Sequence, residues 1–207
     1  MSPSRSISLS KEVSTLISKS AVIAVPPNSN QFVSPIFDVA KKDSDDRRII
    51  LNLKTLNKFI VKVSFKLEGY DDIINMIRKG DYFVSIDLQD AYLMFLMHPF
   101  YWKFLCFDFL NTRYHYKVMP FGLTSAPRIF TKVFKKVLIF LRGKGLRVSA
   151  WFDDIILAAS SISLILEHLH FTKLILKSLG FIPHPTKSML IPSQTISHLG
   201  FIWDSVK

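Results

Sequence analysis

Two adjacent carboxylates inside an apolar run, Asp153 and Asp154 in VSAWFDDIILAAS (residues 148–160), are where this sequence first suggests chemistry. Charges withdrawn from water are costly unless they are paired, hydrogen-bonded or bound to metal. LRVSAWF and IILAAS both read as strands, so the pair falls at a hairpin tip. Asp-Asp without glycine is a poor generic turn, which points to a use for the carboxylates. Strand alternation would put Asp153 on the face of Ser149 and Trp151, and Asp154 with Ala150 and Phe152. That assignment makes Asp153 the main ligand candidate and Asp154 the auxiliary one.

A third carboxylate, Asp87, lies in VSIDLQDAY. As a strand, this segment turns Val84, Ile86 and Leu88 to the core and Ser85, Asp87 and Gln89 to the other face. Two strands can bring such groups to one spot. Clustered carboxylates repel unless a cation neutralises them. Hard oxygen donors favour Mg²⁺ or Mn²⁺, which complete their shells with water and substrate phosphates. Two such ions can clamp an in-line phosphoryl transfer.

Composition narrows the substrate. The chain has 207 residues and a formal net charge of +11, which suits a polyanion, either nucleic acid or an anionic membrane surface. Half the residues are hydrophobic and 18 are Phe, enough for a real core. A single cysteine, Cys106, excludes an internal disulfide and a cysteine-rich zinc site. No apolar run is long enough to span a bilayer and no secretion signal is legible, so no membrane partner is expected. The six histidines show no metal-ligand spacing. These features read as an intracellular protein, with nucleus and cytoplasm both open.

The elements that must position the carboxylates follow from periodicity. A first helix is expected over 10–19, capped by Ser10, with Val13, Leu16 and Ile17 on one face. SPIFDVA and RRIILNL should pair as a hairpin around the charged turn KKDSDD. EGYDDIINMIRKG predicts a helix with Tyr70, Ile73, Ile74 and Ile77 on one face and Gly80 ending it. FLCFDF and TRYHYKV form a second hairpin. The longest helix, 124–142, carries Phe130, Val133, Phe134, Val137, Leu138 and Leu141 as its apolar stripe. Lys132, Lys135 and Lys136 lie off that stripe, as solvated surface or as phosphate contacts. A further helix is expected over 163–179. From residue 82 onward the order is that of a split βαβ unit, an α+β fold with an antiparallel sheet and helices on one face.

At this point the sequence resembles a reverse transcriptase from about residue 11 to 204. SPIFDVAKKDSDDRRIILNLKTLN resembles the fingers hairpin, SIDLQDAY the first catalytic motif, and MPFGLTSAPRIF the template-contacting loop and helix. WFDDIIL resembles the aspartate-pair hairpin, and LGFIPHPTKS and HLGFIW the segments that close the palm. The style is nearest to gypsy and DIRS retrotransposons. The resemblance implies a polymerase palm with a fingers subdomain. Residues 1–30 would lead into the fingers, 31–80 would form the fingers hairpin and helix, and 81–207 the palm with interleaved fingers elements. It implies that Asp87 and Asp153 hold two Mg²⁺ or Mn²⁺ ions, with Asp154 close by. Tyr92 would pack under the incoming sugar and select deoxynucleotides. Arg48 and Lys41 would grip the triphosphate, and Phe121 and Gly122 would lie beside the nascent base pair. Lys187 would protonate the departing pyrophosphate, Leu199 and Gly200 would support the primer, and Lys132 would touch nucleic acid.

The implied activity is RNA-directed DNA synthesis from deoxynucleoside triphosphates on an RNA/DNA primer–template. The alternative is an inactive transposon relic that keeps a nucleic-acid-binding palm. Departures bear on that choice. Trp151 stands where Tyr is usual, and Asp45 and Asp46 add negative charge to the fingers turn. No thumb, RNase H, protease or integrase segment is legible, as expected of a fragment of a larger polyprotein.

Overall fold

The computed structural model describes residues 3–40 and 47–207; for residues 3–6, 8, 40, 47 and 48 it describes the backbone alone. Lys41, Asp45 and Asp46 lie outside the described residues. The chain forms two compact units. One holds residues up to Val63 together with Tyr92–Ala126, and the other holds Ser64–Ala91 together with Pro127–Lys207. The segment 31–80, expected as one fingers piece, is therefore divided after Val63.

The first unit begins with α1 (Pro3–Ser18), then β1 (Val22–Val25), β2 (Ile36–Ala40) and β3 (Arg47–Leu51). α1 starts well before the expected residue 10, so Ser10 lies inside the helix and not at its start. The cause is Leu9, which extends the apolar stripe backward; Leu9, Val13 and Leu16 are buried while Ile17 is exposed. β2 and β3 pair antiparallel as expected, with Val39 opposite Arg48. β1 is not visible in the local pattern, because its partner is distant in sequence.

The second unit opens with α2 (Tyr70–Met76) and β4 (Tyr82–Gln89). α2 stops at Met76, short of Gly80. Ile77 is already extended, and the Arg78 N–H turns to the Asp81 carboxylate at 2.7 Å. Of its expected apolar face, Ile73 is buried but Ile74 and Tyr70 are exposed.

The chain then returns to the first unit for α3 (Pro99–Trp102), β5 (Cys106–Phe109) and β6 (Thr112–Tyr116). Leu110 and Asn111, both at positive φ, make the two-residue hairpin turn. The sheet runs β1–β6–β5.

The remaining elements are α4 (Ala126–Gly143), β7 (Arg147–Trp151), β8 (Asp154–Ala159), α5 (Ile162–Ser178), β9 (Ile182–Pro183), β10 (Met189–Ser193), β11 (Thr195–His198) and β12 (Phe201–Asp204). The central sheet runs β10–β4–β8–β7, all antiparallel, with β9 on the end of β4. β10 contains Pro192, which is tolerated because the strand lies at the sheet edge. α4 buries Phe130, Phe134, Val137, Leu138 and Leu141, but Val133 is exposed, so the stripe is narrower than expected.

The expected core face of β4 is fully buried at Val84, Ile86 and Leu88. Its other face is not open along its whole length. Phe83, Ile156 and Ala158 pack there against Ile73, Ile196 and Trp203 from α2 and the β11–β12 hairpin. The polar end of that face begins at Ser85 and reaches Asp87.

Within that hairpin, burial pushes the His198 imidazole down to about 4, and its Nε2 has no hydrogen-bond partner. The folded form therefore binds fewer protons than the unfolded chain between pH 6.5 and about 4. His198 contributes its full stability above pH 6.5 and loses it as pH falls toward 4, up to about 3 kcal/mol in all. In urea titrations at pH 7.5 and 4.5, His198→Leu should lose less stability on acidification than the wild type. Equal losses in the two proteins would refute this.

Candidate functional site

Asp87 and Asp154 stand directly opposite each other across the β4–β8 ladder, and Trp151 faces Asp154 across β7–β8. Phe152 and Asp153 form the two-residue turn, with Phe152 at a φ of 52°. Glycine is usual at the first position of such a turn, so a phenylalanine there is held against its preference.

This geometry corrects the expected facing of the pair. Alternation holds only within a strand, and the turn resets it. Trp151 shares a face with Asp154 and Asp87, while Asp153 sits in the turn itself. The Trp151 ring lies beside Gly69, where an added Cβ would be 3.6 Å from it. The larger ring is thus accommodated by a residue without a side chain.

The backbone around Asp87 is pinned from several sides. Leu88 N–H donates to Asp153 O at 2.9 Å, and His184 N–H to Asp87 O at 2.7 Å. The Asp87 N–H donates to Ser188 Oγ at 3.2 Å, which ties the segment carrying Lys187 to β4. Burial pushes the Asp154 carboxyl up to about 6. The charges of Asp153 and Asp87 and a hydrogen bond with the Asp87 carboxyl add to this, and Lys187 pulls the other way. The structure thus brings Asp87, Asp153, Asp154 and Lys187 within electrostatic reach of one another.

Among the described residues, no three carboxylate, imidazole or thiol groups form a closed metal-ligand set. The donor chemistry nonetheless fits a hard divalent cation. Two carboxylates in mutual contact need a shared proton or a cation, and an incomplete shell of oxygens is what Mg²⁺ accepts when substrate phosphates complete it.

The other expected residues fall as follows. Arg48 is described for its backbone alone, in β3. Tyr92 packs edge-on to Phe121, ring centroids 5.2 Å apart. Gly122 has a φ of 94°, and a Cβ there would lie 3.0 Å from Leu51 O, so glycine is required. These residues belong to the first unit. In the second unit, Lys132 is exposed on α4, and Leu199 and Gly200 form the left-handed turn joining β11 to β12. The first unit also has a groove of about 740 Å³ lined by Lys54, Lys58, Lys62, Asn57, Gly122 and Thr124. Two residues with positioning contacts, Asn57 and Ser188, were passed over in the sequence. Each ends a motif, NLKTLN and HPTKS, but its contact joins segments far apart in the chain, which no local pattern reports.

An antiparallel sheet with helices packed on it and carboxylates opposed at the end of its central strand pair is the architecture of a polymerase palm. Residues 39–203 match the family model described as reverse transcriptase (RNA-dependent DNA polymerase), and the chain belongs to that family. It is 28% identical over 168 residues to polyprotein P3 of Commelina yellow mottle virus, covering 81% of this chain and 9% of that protein. It is 27% identical over 157 residues to the retrovirus-related Pol polyprotein from transposon 297 of Drosophila melanogaster, covering 74% of this chain and 14% of that protein. The chain thus spans a small part of those relatives' length. Among solved structures, it superposes on a foamy viral protease–reverse transcriptase in complex with double-stranded DNA with a TM-score of 0.85 at 19% identity. That match covers 99% of this chain and 34% of the other, and it shows the polymerase palm fold. No described helix is long and apolar enough to cross a membrane.

Proposed function

We propose that this chain is the polymerase core of a reverse transcriptase, adding deoxynucleotides to a primer on an RNA or DNA template. The observation that carries the reading is Asp87 opposite Asp154, hydrogen-bonded through their carboxyls, with the charges of Asp153 and Lys187 acting on the same spot. The divalent ions this family generally uses supply, when bound, charge neutralisation of the triphosphate and activation of the primer hydroxyl. Asp87, Asp153 and Asp154 would hold them. Lys187 would deliver a proton to the departing pyrophosphate. Arg48 and Lys41 would bind triphosphate oxygens, a role suited to guanidinium and ammonium groups. The Tyr92 ring, set by Phe121, would exclude a 2′-hydroxyl. Leu199 and Gly200 would support the primer, and Lys132 and the lysine groove would contact nucleic-acid phosphates.

The relatives are polyproteins, and the reading extends to this chain as the polymerase portion of one, of the gypsy or DIRS kind. Template-directed primer extension on RNA, with deoxynucleotides and Mg²⁺ or Mn²⁺, tests it. Extension that stops on adding EDTA is the expected result. Salt-sensitive binding of primer–template by folded protein, with no extension under either metal, would overturn it in favour of a binding relic.

A further inference from the structure

Asn57 makes two hydrogen bonds to one distant loop. Its Nδ2 donates to Gly122 O at 2.8 Å, and its Oδ1 accepts from the Thr124 N–H at 2.9 Å. One planar amide thus satisfies a carbonyl and an amide of the same loop, and the reverse orientation would face donor to donor and acceptor to acceptor. Asparagine carries its donor and its acceptor on two separate atoms of one plane, which lets it meet both groups at once. Aspartate keeps the acceptor and loses the donor.

Asn57 is itself held in place. It lies in the short 3₁₀ helix Leu56–Phe59, and its N–H donates to Leu53 O at 2.7 Å. The loop it grips is tightly fitted, because Gly122 has no room for a Cβ beside Leu51 O. Leu123 is buried, so the loop is anchored on that side too. The residue before the gripped carbonyl is Phe121, whose ring meets the edge of Tyr92 at an interplanar angle of 64°. A shift of the Gly122 carbonyl would move Phe121, and Tyr92 would lose the surface it leans on.

We propose that Asn57 is a positioning residue: by clamping Gly122 and Thr124 it fixes Phe121 against Tyr92 and so sets how strictly deoxynucleotides are chosen over ribonucleotides. The sugar-selection half rests on the polymerase reading above; the clamping half does not.

The test uses the full chain as wild type, Asn57→Ala and Asn57→Asp. Hydrogen exchange is read at the Thr124 amide, and kcat/KM for single-nucleotide addition is measured with a deoxynucleotide and its ribonucleotide counterpart. In Asn57→Ala, Thr124 exchange should rise about tenfold or more, and the deoxy-to-ribo preference should fall about tenfold, the size expected for one hydrogen bond. Asn57→Asp should keep Thr124 protected yet still lose preference, because only the bond to Gly122 is broken. A merely structural role would slow both nucleotides alike and leave the ratio unchanged, which would overturn the proposal. Unchanged Thr124 exchange in Asn57→Ala would overturn it as well. If Asn57→Ala does not fold, Asn57→Asp supplies the deciding ratio. A folded wild type that extends no primer overturns the polymerase reading and the sugar-selection half together, while the exchange measurement still decides the clamp.

Discussion

Asp87→Asn is expected to cut primer extension on the order of a thousandfold or more while making the metal-free protein slightly more stable. The loss follows from removing one charge from a site whose ligands are few. A thousandfold corresponds to about 4 kcal/mol of transition-state stabilisation, within what a metal-held phosphoryl transfer supplies. The gain in stability follows from the ladder. Asp87 and Asp154 are directly opposed, and at pH 7.5, above the raised range in which Asp154 keeps its proton, like charges in that position destabilise a sheet. Asparagine keeps the shape of the side chain and removes the repulsion.

The two readouts together separate a functional carboxylate from a structural one. A structural aspartate would lose stability when neutralised, and activity would follow the unfolded fraction. Urea midpoints in EDTA should rise for Asp87→Asn, and added Mg²⁺ should raise the wild-type midpoint more than that of the variant. Extension retained within tenfold of wild type would remove Asp87 from the site. The same experiment on Asp153→Asn and Asp154→Asn ranks the pair. Asp154→Asn should show the stability gain, because it relieves the same cross-strand contact. Asp153→Asn should show it too, because the Asp153 charge also bears on Asp154 and is removed in that variant.

The ranking of that pair shows where the sequence was legible and where it was not. Asp87 and the aspartate pair stood out as charges in apolar strands, and a local rule, strand alternation, put Asp87 on the correct face. The same rule failed for Asp153. A two-residue turn breaks the alternation, and the facing of Trp151 is set by its partner Asp154 across the ladder. Nothing in WFDD alone reports that pairing. β1 shows the same limit at the level of the fold. VIAV is a short apolar run whose strand character comes from β6, with Val22 opposite Tyr116. α4 was legible because its stripe is long and periodic, whereas α2 was over-extended because Asp81 competes for the Arg78 N–H. Tyr92 and Gly122 are named as candidates through motif resemblance. Their neighbour Asn57 was not, because a side-chain clamp between segments far apart in the chain leaves no periodic trace.

Breaking the Asp81–Arg147 pair should cost more stability than any other single change considered for this chain. Asp81 is 1% exposed and receives both guanidinium nitrogens of Arg147, Nη2 to Oδ1 at 2.6 Å and Nη1 to Oδ2. Arg147 Nη1 also donates to Met76 O at 3.1 Å, and Ser205 Oγ donates to the Asp81 carbonyl at 2.6 Å. The pair therefore joins the end of α2, the start of β4, the start of β7 and the segment after β12. Removing one partner of a buried pair leaves an uncompensated charge, and typical losses are about 3–5 kcal/mol. For Asp81→Ala that predicts a fall in melting temperature of roughly 10 °C, read by calorimetry or circular dichroism. Arg147→Met should cost a similar amount for the opposite reason, a stranded carboxylate. The double variant Asp81→Leu/Arg147→Met should recover much of the loss, because apolar replacement of both partners removes the stranded charge. Strict additivity of the single losses in the double variant would mean that the two residues contribute independently and that the pair does not hold β4 to β7. Since β4 carries Asp87 and β7 leads into the Asp153 turn, the single variants should also weaken primer extension more than the double variant does.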